Sequence, residues 1–98
     1  MKIPKKLRMF GFNWKVIYDK NKESGDYNWD KKIIKIGGRY EEGYKVLFHE
    51  LLEAVLTENL CRYYTNENTS DYQFIFNHSK FCNVVRQFAE ILKDNKLI

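Results

Sequence analysis

Along residues 7–19 apolar and polar positions alternate, with Phe12, Trp14, Val16 and Tyr18 on one side of an extended chain and Asn13 and Lys15 on the other. A period of two is the signature of a half-buried strand, and Gly11 predicts a bend that separates it from a shorter strand at Leu7-Arg8-Met9. A polar loop follows from Asn21 to Gly25. Residues 27–36 then predict a hairpin that turns around Asp30-Lys31 and ends at Gly37-Gly38.

The period lengthens after that. Between Tyr44 and Leu60, the residues Leu47, Phe48, Leu51 and Val55 recur at spacings of three and four, which predicts an amphipathic helix. His49, Glu53, Leu56 and Leu60 form a stripe beside the apolar one, and Glu41 and Glu42 precede the helix at its positive end. Asn66 to Asp71 reads as a polar loop. The aromatic alternation of residues 72–76 predicts a short strand able to pair with Arg62-Tyr63-Tyr64. A second helix follows, capped by Asn77 or Ser79, with Phe81, Val85, Phe88 and Leu92 as its core stripe. His78 is in line with that stripe and is therefore expected to face inward. The order β-β-β-β-α-β-α predicts an α+β fold, a small antiparallel sheet with two helices packed on one side.

Composition narrows the class. Ninety-eight residues confine the chain to one domain spanning 1–98, and 44 % apolar with 16 % aromatic content is enough for a packed core. No run of 18 apolar residues is present, so no membrane-spanning helix is expected. The basic start, Met1 to Lys6, lacks the apolar segment of a signal peptide, and Cys61 and Cys82 form no C-x-x-C pair. Together these predict a cytoplasmic protein with reduced thiols. Charge is uneven: residues 1–39 carry eleven Lys/Arg against four Asp/Glu, and residues 40–98 six against nine. A basic half can attract nucleic acid or an acidic protein. The lysines interleave with apolar positions, as they do along exposed strands, so nucleic acid is not the favoured partner.

The chemistry concentrates in His49-Glu50-Leu51-Leu52-Glu53. Residues four apart share a helix face, so His49 and Glu53 can converge on one cation, with Glu50 beside it, about 100° round the helix from His49. His78 completes a His₂Glu set, and three protein ligands leave a fourth position open, the mark of a catalytic rather than a structural zinc site. An ion so held brings the pKa of a bound water towards neutrality, and Glu50 is placed to take its proton. A carboxylate in place of a second histidine makes that water less acidic and admits Mn²⁺ or Fe²⁺ beside Zn²⁺.

Other uses of the same residues are open. Two histidines and a carboxylate are also the facial triad of non-haem iron oxygenases, although a chain this short lacks their barrel and Glu50 has an obvious role only in hydrolysis. Cys82, four residues after His78, could close a four-ligand structural zinc site, but a cysteine within an apolar helix is more commonly a small core residue. One hydroxyl among Tyr63, Tyr64 and Tyr72 could steady an oxyanion, although aromatic packing is the commoner use.

The segments Ile33-Ile34-Lys35-Ile36-Gly37-Gly38, Leu47-Phe48-His49-Glu50-Leu51-Leu52-Glu53-Ala54 and Phe76-Asn77-His78 resemble small zincin-like metallopeptidases, often encoded by phages and mobile elements and similar to the ImmA/IrrE-like and SprT-like group. The resemblance implies a sheet edge before the active-site helix, His49 as first ligand, Glu50 as general base, Glu53 as second ligand and His78 as third. It implies zinc as the cofactor and a peptide or protein as the substrate. Glu53 departs from the usual H-E-x-x-H pattern, and a scaffold so altered could hold metal and bind peptide without cutting it. The alternative is a non-catalytic metal-binding module or a basic module for nucleic acid or protein.

Overall fold

The computed structural model describes residues 2–64 and 72–98. Strand β1 (Lys6–Met9) turns at Phe10-Gly11 into β2 (Phe12–Tyr18), with Met9 opposite Phe12. Phe10 and Gly11 have φ of 56° and 80°, the paired left-handed conformations that join two strands with the right twist. Gly11 is thus a hairpin turn residue, as its position predicts. Leu7, Met9, Trp14 and Val16 are buried on one face, and Lys6, Arg8, Asn13 and Lys15 are exposed on the other. Trp14 is 1 % exposed, and its indole N–H donates to the Met9 carbonyl at 3.0 Å.

Strands β3 (Asp26–Asn28) and β4 (Ile33–Ile36) form the expected antiparallel hairpin. The sheet as a whole is not antiparallel. Its order is β1-β2-β4-β3, and β2 runs parallel to β4 with Val16 opposite Ile34. This corrects the expected antiparallel arrangement, and composition explains it. The β4 side chains Ile34 and Ile36 are fully buried, so β4 takes the interior place beside β2. The polar triplet Asp26-Tyr27-Asn28 takes the edge, where a short charged strand is tolerated.

A single 3₁₀ turn at Tyr40–Glu42 leads into α1 (Gly43–Glu58). Leu47, Leu51, Ala54 and Val55 of α1 meet the inner face of the sheet, as the helical stripe predicts. α1 ends with Leu60 at φ 59°, the Leu60 N–H donating to the Thr57 carbonyl and the Cys61 N–H to that of Leu56. That pair of bonds is a Schellman motif, in which glycine usually occupies the left-handed position. Cys61, the next residue, is fully buried against the core, the ordinary role of a thiol without partners of its own kind. Leu60 is 74 % exposed, so its side chain contributes little there. Leu60→Gly is therefore expected to raise stability by about 1 kcal/mol in a urea titration, by removing the left-handed strain. A loss of stability would mean that the leucine side chain outweighs its backbone cost.

β5 (Arg62–Tyr64) pairs with β6 (Tyr72–Phe74), Tyr64 opposite Tyr72, in an antiparallel ladder between the two segments that the sequence suggested could pair. The element order thus gains one strand over the predicted one, and the Asn66–Asp71 loop lies outside the described residues. Helix α2 (His78–Asp94) begins at Asn77, whose side chain accepts from the Lys80 N–H at 2.9 Å. Its buried residues are Val84, Ile91 and Leu92, while Phe81 and Val85 are 47 % and 50 % exposed. The core face of α2 is therefore rotated from the predicted stripe, and His78, on the exposed side, does not face inward. α2 packs on α1, with Phe88 edge-on to Phe48, and on β1, with Asn95 bonded to the Arg8 backbone. No helix among the described residues is long and apolar enough to cross a membrane.

Candidate metal centre

Three features of α1 and the wall that faces it set up the site. The helix is continuous through residues 43–58 and rich in good helix formers, Leu, Glu and Ala. Its apolar stripe anchors it on β4. Residues 49, 50 and 53 then fall towards one edge, beside the β3 end of the sheet. Opposite them, residues 23–29 form the other wall of a cleft of about 740 Å³. Gly25 brings that wall close: a Cβ there would lie 2.6 Å from Val46 and 2.9 Å from the Lys35 carbonyl oxygen, with the Glu50 side chain just beyond.

Within the cleft, His49 Nε2 lies 3.0 Å from Glu53 Oε2 and 4.0 Å from Glu50 Oε1. The three side chains can each present one ligating atom such that all lie within 4.8 Å of one another. Donors on a four-coordinate ion at zinc-like bond lengths stand roughly 3.3–3.6 Å apart. The His49–Glu53 pair is within a few tenths of an ångström of that spacing, and Glu50 Oε1, 4.0 Å from His49 Nε2, stands further off. His49 is solvent-exposed, whereas Glu50 and Glu53 are buried to 6 % and 9 % exposure. Two carboxylates taken out of water beside one imidazole make a donor set that favours a cation.

Electrostatics follow from that burial. Glu50 is pushed up to about 7, first by desolvation and then by the negative charge of Glu53. Glu53 is held from its other side. The Tyr72 hydroxyl donates to Glu53 Oε1, and Arg62 Nη1 lies 3.7 Å from the same oxygen. The bond to Glu53 pushes the Tyr72 hydroxyl up to about 12, so it remains protonated and donating at neutral pH. The Arg62 guanidinium also lies 5.2 Å from the centre of the Tyr72 ring.

Of the residues singled out in the sequence, the structure brings His49, Glu50 and Glu53 together. It places His78 elsewhere, at the first residue of α2, exposed, with its ring nitrogens 3.7–3.8 Å from Cys82 Sγ and its ring tilted on Phe81. The next residues of α2 lie near the far end of α1, where Lys80 Nζ reaches the Leu60 carbonyl. Among the three tyrosines, Tyr72 reaches the site, Tyr63 is exposed, and the Tyr64 side chain lies outside the described residues. Arg62 and the glycine wall were not singled out by sequence. Arg62 follows the buried turn after α1, and only the β5–β6 pairing shows that it returns to Glu53. No family model, curated protein or solved structure matches this chain.

Proposed function

We propose that this protein is a zincin-like, metal-dependent hydrolase of peptide bonds. The observation that carries the reading is the convergence of His49, Glu53 and the buried Glu50 on one point of a cleft bounded by a sheet edge. His49 and Glu53 hold a divalent ion, with Zn²⁺ favoured by the imidazole and Mn²⁺ or Fe²⁺ admitted by the carboxylates. When bound, the ion supplies Lewis acidity and makes a water more acidic at that point. Glu50 is the general base: it receives a proton from the attacking water and delivers it to the departing amine. Its position, against the cleft floor and one residue from His49, suits that transfer. The wall at residues 23–29 orients an extended peptide across the helix.

The test is metal content. Protein purified without added metal is expected to carry one divalent ion per chain by elemental analysis. His49→Ala and Glu53→Ala are each expected to lose it, with the helical circular dichroism retained because the apolar stripe of α1 that packs on the sheet is untouched. Full metal in both variants would sink the reading. The zincin-like resemblance gives His78 a place among the ligands as well. His78→Ala tests that separately, and with its ring turned to Cys82 and Phe81 the larger loss is expected at His49.

A further inference from the structure

A carboxylate ligand has two oxygens, and the structure treats those of Glu53 differently. Oε2 faces His49 Nε2 at 3.0 Å. Oε1 faces away, towards the β5–β6 hairpin, where the Tyr72 hydroxyl donates to it and Arg62 Nη1 stands 3.7 Å off. The two hairpin groups support each other, the guanidinium lying over the Tyr72 ring. They come from adjacent antiparallel strands, so their spacing is set by the ladder rather than by flexible loops.

We propose that Tyr72 and Arg62 are positioning residues that hold Glu53 Oε1 and leave Oε2 as the single carboxylate oxygen offered to a cation. The inference rests on the metal-binding reading of His49 and Glu53. A carboxylate free to rotate can bind a metal through both oxygens, which raises the coordination number and takes up the position a water or substrate oxygen needs. With Oε1 occupied by the Tyr72 hydroxyl and paired with the Arg62 guanidinium, that option is closed, and the carboxylate plane is fixed relative to the imidazole. Outer partners of this kind change metal affinity without touching the metal.

The experiment uses Co²⁺ as the probe on the full chain. Its visible absorption is intense in four-coordinate sites and weak at higher coordination. Tyr72→Phe removes the hydroxyl and little else. It is expected to weaken Zn²⁺ binding by about 10–100-fold in a chelator competition and to lower the Co²⁺ absorption per bound ion. Arg62→Gln acts on the same oxygen from the other strand and should move both readouts in the same direction. Tyr63→Phe, on an exposed ring of the same hairpin, is the control and should move neither. Variants of Tyr72 and Arg62 that match wild type in affinity and spectrum would overturn the clamp while leaving the metal site standing. Wild-type protein that takes up no Zn²⁺ or Co²⁺ would overturn both. Loss of affinity with an unchanged Co²⁺ spectrum would also overturn it, since a general loosening of the hairpin suffices for that result.

Discussion

Changing Glu50 to glutamine is expected to leave bound metal in place while cutting peptide hydrolysis by about 10²–10⁴-fold, the range over which a positioned acid–base group contributes. Glutamine keeps the shape of the side chain, so the close approach of Gly25 and Val46 is undisturbed. What it removes is a group able to carry a proton between water and amine. His49 Nε2 lies 3.0 Å from Glu53 Oε2 but 4.0 Å from Glu50 Oε1. They can therefore hold an ion without it. Elemental analysis and a turnover assay on the same preparation separate the outcomes. Loss of metal with loss of activity would make Glu50 a ligand, and undiminished activity would remove it from the mechanism.

The same substitution should reshape the pH dependence of folding in the metal-free chain. Glu50 rises from its ordinary 4.5 to about 7 in the fold, chiefly through burial. Below pH 4.5 both folded and unfolded chains hold this proton, and the fold loses nothing. Between pH 4.5 and 7 the unfolded chain ionises while the folded one stays protonated, so stability falls as pH rises. Above pH 7 both are ionised, and the fold bears the full cost of a buried charge, about 3 kcal/mol for a shift of this size. Glutamine has no proton to lose. Denaturant titrations in chelator at pH 4 and pH 8 should therefore show Glu50→Gln gaining about 3 kcal/mol on wild type between the two. A difference between the proteins that does not change with pH would mean that Glu50 is not desolvated.

Much of this fold could be read from local patterns, and the parts that could not are those where two patterns compete. Trp14 and Val16 alternate with Asn13 and Lys15 on β2, and that period alone identifies the buried face. Gly11, the β3–β4 hairpin, the α1 stripe and the Asn77 cap are local in the same sense. The parallel pairing of β2 with β4 is not. It depends on which strand of a hairpin takes the interior place, a choice made by tertiary burial of Ile34 and Ile36. On α2, the stripe Phe81-Val85-Phe88-Leu92 and the stripe Val84-Phe88-Ile91-Leu92 both have helical spacing and share Phe88 and Leu92. Periodicity cannot choose between them; packing on α1 and β1 does. His78 follows the exposed stripe, which is why its predicted inward orientation failed along with that of Phe81 and Val85. At the site, helical spacing made His49 and Glu53 legible. The burial of Glu50 and the reach of Tyr72 and Arg62 depend on Gly25 and on the pairing of β5 with β6, away from residue 50 in the chain.

His49, Glu50 and Glu53 occupy little more than one turn of one helix, while the opposing wall comes from residues 23–29 and the hold on Glu53 from Arg62 and Tyr72. The conformational entropy of bringing His49, Glu50 and Glu53 together is thus given up when α1 forms. The wall and the hairpin depend on contacts between segments distant in the chain, which a partial opening of the fold can break while α1 stays helical. Any state that keeps α1 helical keeps the trio at helical spacing, but only the complete tertiary structure keeps it shielded and oriented. The proximity of the three side chains and the shape of the cleft around them therefore draw on different portions of the protein's stability, one regional and one global.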